Sequence, residues 1–273
     1  MKNRILVFTD LDGTLLDHTT YSFRGALPAI KMLRQRKIPL IICTSKTRAE
    51  VEVVRLALRN SDPFIVENGG AVFLPDGYFP GGIPAARKDS AYRVIELGTP
   101  YPTLVDAFSR IKSRLPGKAR GFADLSIKEV AGLTGLSRRE AALAKKREYD
   151  EPFLVEDPSL ISTIQRMAAA SGLKITRGGR FFHLTGDNDK GRAVRRLQAL
   201  YARTAGGPLR SIGLGDSQND LPLLEAVDFP VLVKKPGGQY DSAVRVPNLI
   251  LAPGVGPAGW RAAVIELVSR LGG

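Results

Sequence analysis

The chain has 273 residues, and 40 Lys plus Arg against 27 Asp plus Glu give a formal charge of +13. A hydrophobic share of 44% beside 25% charged residues excludes a disordered, collagenous or coiled-coil chain. No apolar run approaches the roughly 20 residues of a spanning helix, and the single Cys43 excludes an intramolecular disulfide framework and a multi-cysteine zinc site.

Residues 5–8 read as a short buried strand. Asp10 and Asp12 follow it at once, so no secretory signal is expected and the chain is read as cytoplasmic, with no membrane partner. Over 25–36 the apolar Ala26, Leu27, Ile30 and Leu33 recur at three and four, which predicts a helix, and 38–43 resumes as a strand. A second helix over about 47–58 leads to a strand at 64–66. Strands alternating with helices predict a parallel sheet with right-handed crossovers.

Turn-rich Pro75-Asp76-Gly77 and 80–84 then break the rhythm. The next hundred residues predict helices near 102–115, 126–132, 137–147 and 158–171, with strands near 92–96, 152–156, 173–177 and 180–184. Because these do not alternate simply, residues 86–186 are expected to form an inserted α+β domain, with 1–85 and 187–273 as a discontinuous α/β core. The insert holds 18 basic and 11 acidic residues, so the positive charge is somewhat concentrated there. The alternating pattern returns with a helix near 190–200, a strand at 211–214, a helix near 218–226 and a strand at 229–233. A closing amphipathic helix follows at 256–271, carrying Trp260, Ala263, Val264, Leu267 and Leu271.

Chemistry concentrates where strands end. Asp10-Leu11-Asp12-Gly13-Thr14-Leu15 puts two carboxylates on one side of an extended segment just past the first strand, the edge of a parallel sheet where ligands bind. Two such carboxylates repel unless a cation lies between them or one is protonated, and magnesium suits hard oxygen ligands of this kind. Taken alone, the same residues also describe a plain Asp-Gly turn. A second acidic cluster, Gly213-Leu214-Gly215-Asp216-Ser217-Gln218-Asn219-Asp220, stands at the equivalent end of a later strand. Cys43-Thr44-Ser45-Lys46-Thr47 opens a helix, where hydroxyls and free amides bind phosphate or Thr44 or Ser45 caps the helix. Lys190, at a helix start, opposes the helix dipole and calls for an anion.

These segments, in this order, resemble the haloacid dehalogenase superfamily: D-x-D-x-T-L at 10–15, the strand-end Thr44, Lys190, and G-D-x-x-N-D at 215–220. The resemblance implies a Rossmann-like parallel-sheet core with a cap inserted between the second and third motifs, the slot that 86–186 fills. Within the superfamily the chain is similar to the mannosyl-3-phosphoglycerate phosphatase family. That likeness rests on 10–18 with Tyr21-Ser22, Thr44 to Glu50, Pro63 to Gly70, the basic-then-acidic run 144–151 and Arg177-Gly178-Gly179-Arg180-Phe181-Phe182-His183.

The resemblance implies a magnesium-dependent phosphatase in which Asp10 attacks phosphorus, Asp12 is the general acid and base, and Thr44 and Lys190 hold the non-bridging oxygens. Magnesium would be held by Asp10, the Asp12 main chain and Asp216, with Asn219 and Asp220 in support. The expected partner is a small phosphorylated sugar-glycerate, touched by Ser45, Lys46, Glu67, Asn68, Gly69, Arg177, Gly178, Gly179 and Arg180. Arginine forks suit its carboxylate and phosphate, although the 177–180 turn also reads as a solvated hairpin and 67–70 as a plain loop. His183 is expected to be structural, and His18 receives no role. The basic composition also fits a nucleic-acid binder, but Glu140, Glu148, Asp150 and Glu151 interleave the basic run, so no nucleic acid is expected. The competing readings are a phosphatase of glucosyl-3-phosphoglycerate or another sugar phosphate, and a phosphomutase. The sequence gives no oligomeric state.

Overall fold

The computed structural model describes residues 4–80, 83, 86–115, 118–178, 180–204 and 208–272. Strands β1 (Arg4–Thr9), β2 (Leu40–Cys43) and β3 (Phe64–Val66) alternate with helices α1 (Leu27–Gln35) and α2 (Arg48–Leu58). The chain then turns back through β4 (Ala71–Pro75), β5 (Arg87–Asp89) and β6 (Tyr92–Glu96). An excursion follows: α3 (Tyr101–Ser113), β7 (Ala119–Gly121), α4 (Ile127–Thr134), α5 (Arg138–Ala144), β8 (Glu151–Val155), α6 (Ile161–Ala169), β9 (Lys174–Gly178) and β10 (Phe181–Thr185). The return runs through α7 (Lys190–Thr204), β11 (Leu209–Gly215), α8 (Leu221–Glu225), β12 (Phe229–Lys234), β13 (Ile250–Val255) and α9 (Gly256–Leu271).

The large sheet has the order β13-β12-β11-β1-β2-β3-β4-β6-β5. From β13 to β3 every pairing is parallel, whereas β4, β6 and β5 are added antiparallel. Strand alternation fixes which face each helix covers. Ile5 and Val7 of β1 pack with Ile30 and Leu33 of α1 and with Trp260 and Val264 of α9. Leu6 and Phe8 face the opposite side, with Val194 and Leu197 of α7 and Leu223 of α8. Each such fully buried aliphatic or aromatic side chain contributes about 1.5–3 kcal/mol.

The second sheet, β7-β8-β10-β9, is antiparallel throughout and is backed by α3 and α6 through Phe108, Ile111, Phe153 and Ile164. The expected boundary at residue 86 is corrected by the strand pairing. Residues 87–96, assigned to the insert, extend the core sheet, because β6 pairs with β4 in the register Phe73↔Val94. Tyr92 meets the edges of the stacked Phe64 and Phe73 rings, at centroid distances of 5.4 and 5.7 Å. A short apolar run carries no mark of which sheet it will join. The sequence reading also lacked β4, β5, β7 and β13; β13 contains Pro253 and Gly254, the composition of an edge strand.

Candidate active site

Parallel pairing carries the ends of β1, β2, β3 and β11 to one edge of the core sheet, and the residues that follow them are Asp10, Thr44, Glu67 and Asp216. Strand order reverses between β1 and β11, which opens a crevice at their carboxyl ends. There the Asp10 N–H donates to the Leu214 carbonyl at 2.9 Å. Carboxylate oxygens of Asp10, Asp216 and Asp220 lie within 4.8 Å of one another, all three residues being buried. Gly13 adopts φ +75°, and a Cβ there would lie 2.8 Å from Asp216 Oδ2, so both the turn and the space require glycine.

Lys190 enters this cluster from the start of α7. Its Nζ donates to Asp10 Oδ1 at 2.8 Å and to Asp220 Oδ1 at 2.6 Å, and the residue is 1% exposed. Burial alone would pull its ammonium down, but Asp10 and Asp220 outweigh burial and push it above the ordinary lysine range. Burial drives the Asp10 carboxyl up, Lys190 opposes this, and the neighbouring Asp220, Asp216 and Asp12 add to it. Asp216 is raised the same way, by burial and then by Asp220. The other Asp220 oxygen, Oδ2, accepts the N–H groups of Asp216 and Ser217 at 3.0 and 3.2 Å. Asp220 is therefore engaged on both oxygens, while no hydrogen bond reaches Asp10 Oδ2 or the Asp216 carboxylate among the described residues.

Asp12 Oδ2 pairs with Lys46 Nζ at 2.9 Å, and its Oδ1 is buried without a partner among the described residues. Lys46, expected on substrate, is thus placed on Asp12. Thr44 is 1% exposed, and its Oγ1 accepts the Lys46 N–H at 3.3 Å. The cap of α2 is Thr47, in a capping box with Glu50, so neither Thr44 nor Ser45 performs that task.

A family model of haloacid dehalogenase-like hydrolases matches residues 7–78. A glucosyl-3-phosphoglycerate/mannosyl-3-phosphoglycerate phosphatase of Methanococcoides burtonii is 46% identical over 97% of this chain and 97% of its own. The chain belongs to the haloacid dehalogenase-like hydrolases. A mannosyl-3-phosphoglycerate phosphatase of Pyrococcus furiosus is 34% identical over 84% of this chain and 90% of its own. The sucrose-phosphatase of Synechocystis, solved with sucrose and phosphate, shares the fold at a TM-score of 0.63 with 14% identity, covering 98% of each chain.

In this hydrolase the excursion from α3 to β10 is the cap, and several residues expected on substrate hold cap and core together instead. Glu67, fully buried, accepts the Glu148 N–H at 2.9 Å and the Tyr149 N–H at 2.8 Å. Its expected contact with sugar hydroxyls is therefore corrected: with every donor supplied by cap backbone, the carboxyl faces inward. Burial pushes it up, to about 8, while Arg147 pulls it down. Within the core, Gly69 adopts φ +87° against the Asp189 carbonyl, where no side chain fits. The Ser45 carbonyl accepts from Arg147 Nη1 at 2.9 Å.

Asn68 lines a cavity of about 340 Å³ with Arg177, Asn188, Lys190, Asn219 and Pro222. Its Oδ1 accepts from Asn219 Nδ2 at 3.1 Å, and its Nδ2 donates to Asp150 Oδ2 at 3.3 Å. Arg177 stands 5.7 Å from the Phe182 ring. Arg180 is exposed in the turn that follows β9 and is not among the residues lining that cavity. Gly178 abuts His183, whose Nε2 a Cβ would approach to 2.8 Å. Gly179 lies outside the described residues.

The sequence reading missed Asp150 and Trp260 as supporting groups. Asp150 is fully buried and joins His183 Nδ1 at 2.8 Å, and the only signal for it was the basic-then-acidic run 144–151. Trp260 Nε1 donates to Thr9 Oγ1 at 3.0 Å, and Thr9 in turn donates to the Asp10 carbonyl at 2.7 Å. Its apolar spacing had marked Trp260 for the core alone.

Proposed function

We propose that the protein hydrolyses the phosphate monoester of mannosyl-3-phosphoglycerate, or of its glucosyl counterpart, to the glycosylglycerate and phosphate. The observation that carries the reading is the convergence of Asp10, Asp216, Asp220 and buried Lys190 at the strand-order reversal. The 46% identity to a phosphatase named for both substrates supports the same choice.

The Asp10 carboxylate attacks phosphorus, the phosphorus–oxygen ester bond breaks, and an aspartyl phosphate forms. Asp12 gives a proton to the departing glycerate oxygen and then takes one from the water that splits the acyl phosphate, which frees Asp10 and inorganic phosphate. Such proton transfers are worth about 10²–10⁴ in rate. Thr44 and Lys190 hold the non-bridging oxygens, where charge spreads in the transition state. The free carboxylate oxygens of Asp10 and Asp216, all hard donors, fit a magnesium ion. With the Asp12 carbonyl they would hold it, and the ion supplies charge neutralisation between carboxylate and phosphate. Asp220 and Asn219 position Lys190 and Asn68. Arg177, in the cavity shared with Lys190, takes the glycerate carboxylate.

The test is a panel of phosphate monoesters with magnesium, including both glycosyl-3-phosphoglycerates and free 3-phosphoglycerate. Preferred hydrolysis of the glycosylated esters is expected; equal rates on free 3-phosphoglycerate overturn the substrate assignment.

A further inference from the structure

The backbone of Asp10 is held on both sides of its Cα. Its N–H donates to the Leu214 carbonyl of β11 at 2.9 Å, and its carbonyl accepts from Thr9 Oγ1 at 2.7 Å. Two planar peptide groups meet at each Cα, with φ and ψ as the soft rotations between them. A bond to each group therefore fixes both angles, and with them the direction of the Cα–Cβ bond that carries the carboxylate. The second bond also sets the plane of the peptide that leads toward Asp12.

The Thr9 hydroxyl is itself aimed from across the chain. Trp260 of α9 donates its indole N–H to Thr9 Oγ1 at 3.0 Å, over a separation of 251 positions. An indole N–H can only donate, so Thr9 Oγ1 accepts there and its own proton is directed to the Asp10 carbonyl. Both residues are fully buried. Burial alone calls for neither polar group: after Ile5-Leu6-Val7-Phe8 a valine would fill similar space, and a phenylalanine at 260 would bring no donor to satisfy. The same helix meets the loop after Asp10 again at its start, where a Cβ on Gly256 would lie 3.7 Å from the Gly13 carbonyl oxygen.

We propose that Trp260 and Thr9 are positioning residues for phosphoryl transfer, acting in series from α9 to fix the backbone of Asp10 so that its carboxylate meets phosphorus in line. This rests on the reading of Asp10 as the nucleophile. A displacement of about 1 Å from such an alignment can cost about 10²-fold in rate. Neither residue is placed on substrate, so the device acts on kcat rather than on KM.

The experiment measures kcat and KM with magnesium on mannosyl-3-phosphoglycerate and on p-nitrophenyl phosphate, an ester without a sugar. It compares the wild type with Thr9→Val, Thr9→Ser, Trp260→Phe, the double variant Thr9→Val/Trp260→Phe, and Asp10→Asn. Thr9→Val is expected to lose about 10–100-fold in kcat on both esters with KM within about twofold, whereas Thr9→Ser keeps the hydroxyl and stays within about threefold of the wild type. Trp260→Phe should fall between these, and the double variant should match Thr9→Val within about twofold, because links in series do not add. Trp260 is the only tryptophan of the chain, so its one indole N–H resonance reads the same bond without turnover. Thr9→Val should shift that resonance and speed its exchange, and Thr9→Ser should restore it. Wild-type kcat in Thr9→Val overturns the positioning role, even with a lowered thermal midpoint, since the bonds would then serve stability alone. So does a Thr9→Ser enzyme as slow as Thr9→Val, or a double variant in which the two losses multiply. The Thr9 variants decide the matter even where Trp260→Phe does not fold. An Asp10→Asn enzyme that still turns over overturns the nucleophile reading, and the positioning role with it.

Discussion

Lys190 Nζ lies 2.8 Å from Asp10 Oδ1 across 180 residues of chain, with Asp220 Oδ1 at 2.6 Å on the same ammonium. One cation therefore neutralises two buried carboxylates at the reversal of strand order. Lys190→Met leaves both uncompensated, and removing one partner of a buried pair costs about 3–5 kcal/mol. Denaturant unfolding is expected to show a loss of that size, and turnover should fall by orders of magnitude. A variant as stable as the wild type would mean that the pair is not what holds these carboxylates.

Asp10→Asn preserves shape and removes the attacking carboxylate. Turnover should vanish while the thermal midpoint stays near or above that of the wild type, because Asp220 still pairs with Lys190 and one of the clustered negative charges is gone. Wild-type-like rates would remove Asp10 from the nucleophile role.

Gly13→Ala forces a side chain into the left-handed region, at roughly 1–2 kcal/mol, and brings its Cβ to 2.8 Å from Asp216 Oδ2. Displacing that carboxylate should weaken magnesium binding by about 10–100-fold. Titration calorimetry reads this directly; an unchanged affinity would place the ion away from Asp216.

Without a cation, Asp10 and Asp216 have folded-state values raised above those of the unfolded chain. A raised carboxyl contributes stability below its unfolded value, about 4, and that contribution is lost as pH rises through the folded value. The thermal midpoint of chelator-treated protein should therefore carry a falling component from these two groups as pH rises toward and past neutrality. Added magnesium should raise the midpoint more at pH 8 than at pH 6, with the proton release that direct competition requires.

Glu67→Ala removes the acceptor for the Glu148 and Tyr149 N–H groups at the junction of core and cap. Leaving buried donors unpaired costs about 1–3 kcal/mol each. Hydrogen exchange at these two amides should accelerate well beyond that of β1, and Glu67→Gln should restore part of the protection. Equal acceleration throughout the core would show a general loss of stability rather than loosening at the junction.

Much of this enzyme was written locally. An Asp-x-Asp-Gly run after an apolar strand and a Gly-Asp-x-x-Asn-Asp run after a later one state their chemistry through residue type and spacing, and parallel alternation brings both to one sheet edge. Trp260 shows a limit of such reading: helical spacing gave its apolar face correctly, yet nothing in that spacing indicated that its indole N–H would hold Thr9 behind Asp10. Residues 92–96 show another, since apolar alternation predicted a strand but not which sheet would take it.

The sequence by itself determined the α/β rhythm, the capped architecture and the acidic motifs, because periods of two and 3.6 residues and short motifs are properties of neighbouring positions. Tertiary structure alone decided that Glu67 turns inward to the cap backbone, that Asp150 joins Asn68 to His183, and that Lys46 meets Asp12. Glu67 and Tyr149 are 82 positions apart. Their meeting depends on how the cap folds back over the sheet, a matter of packing between separate hydrophobic clusters that no local pattern encodes.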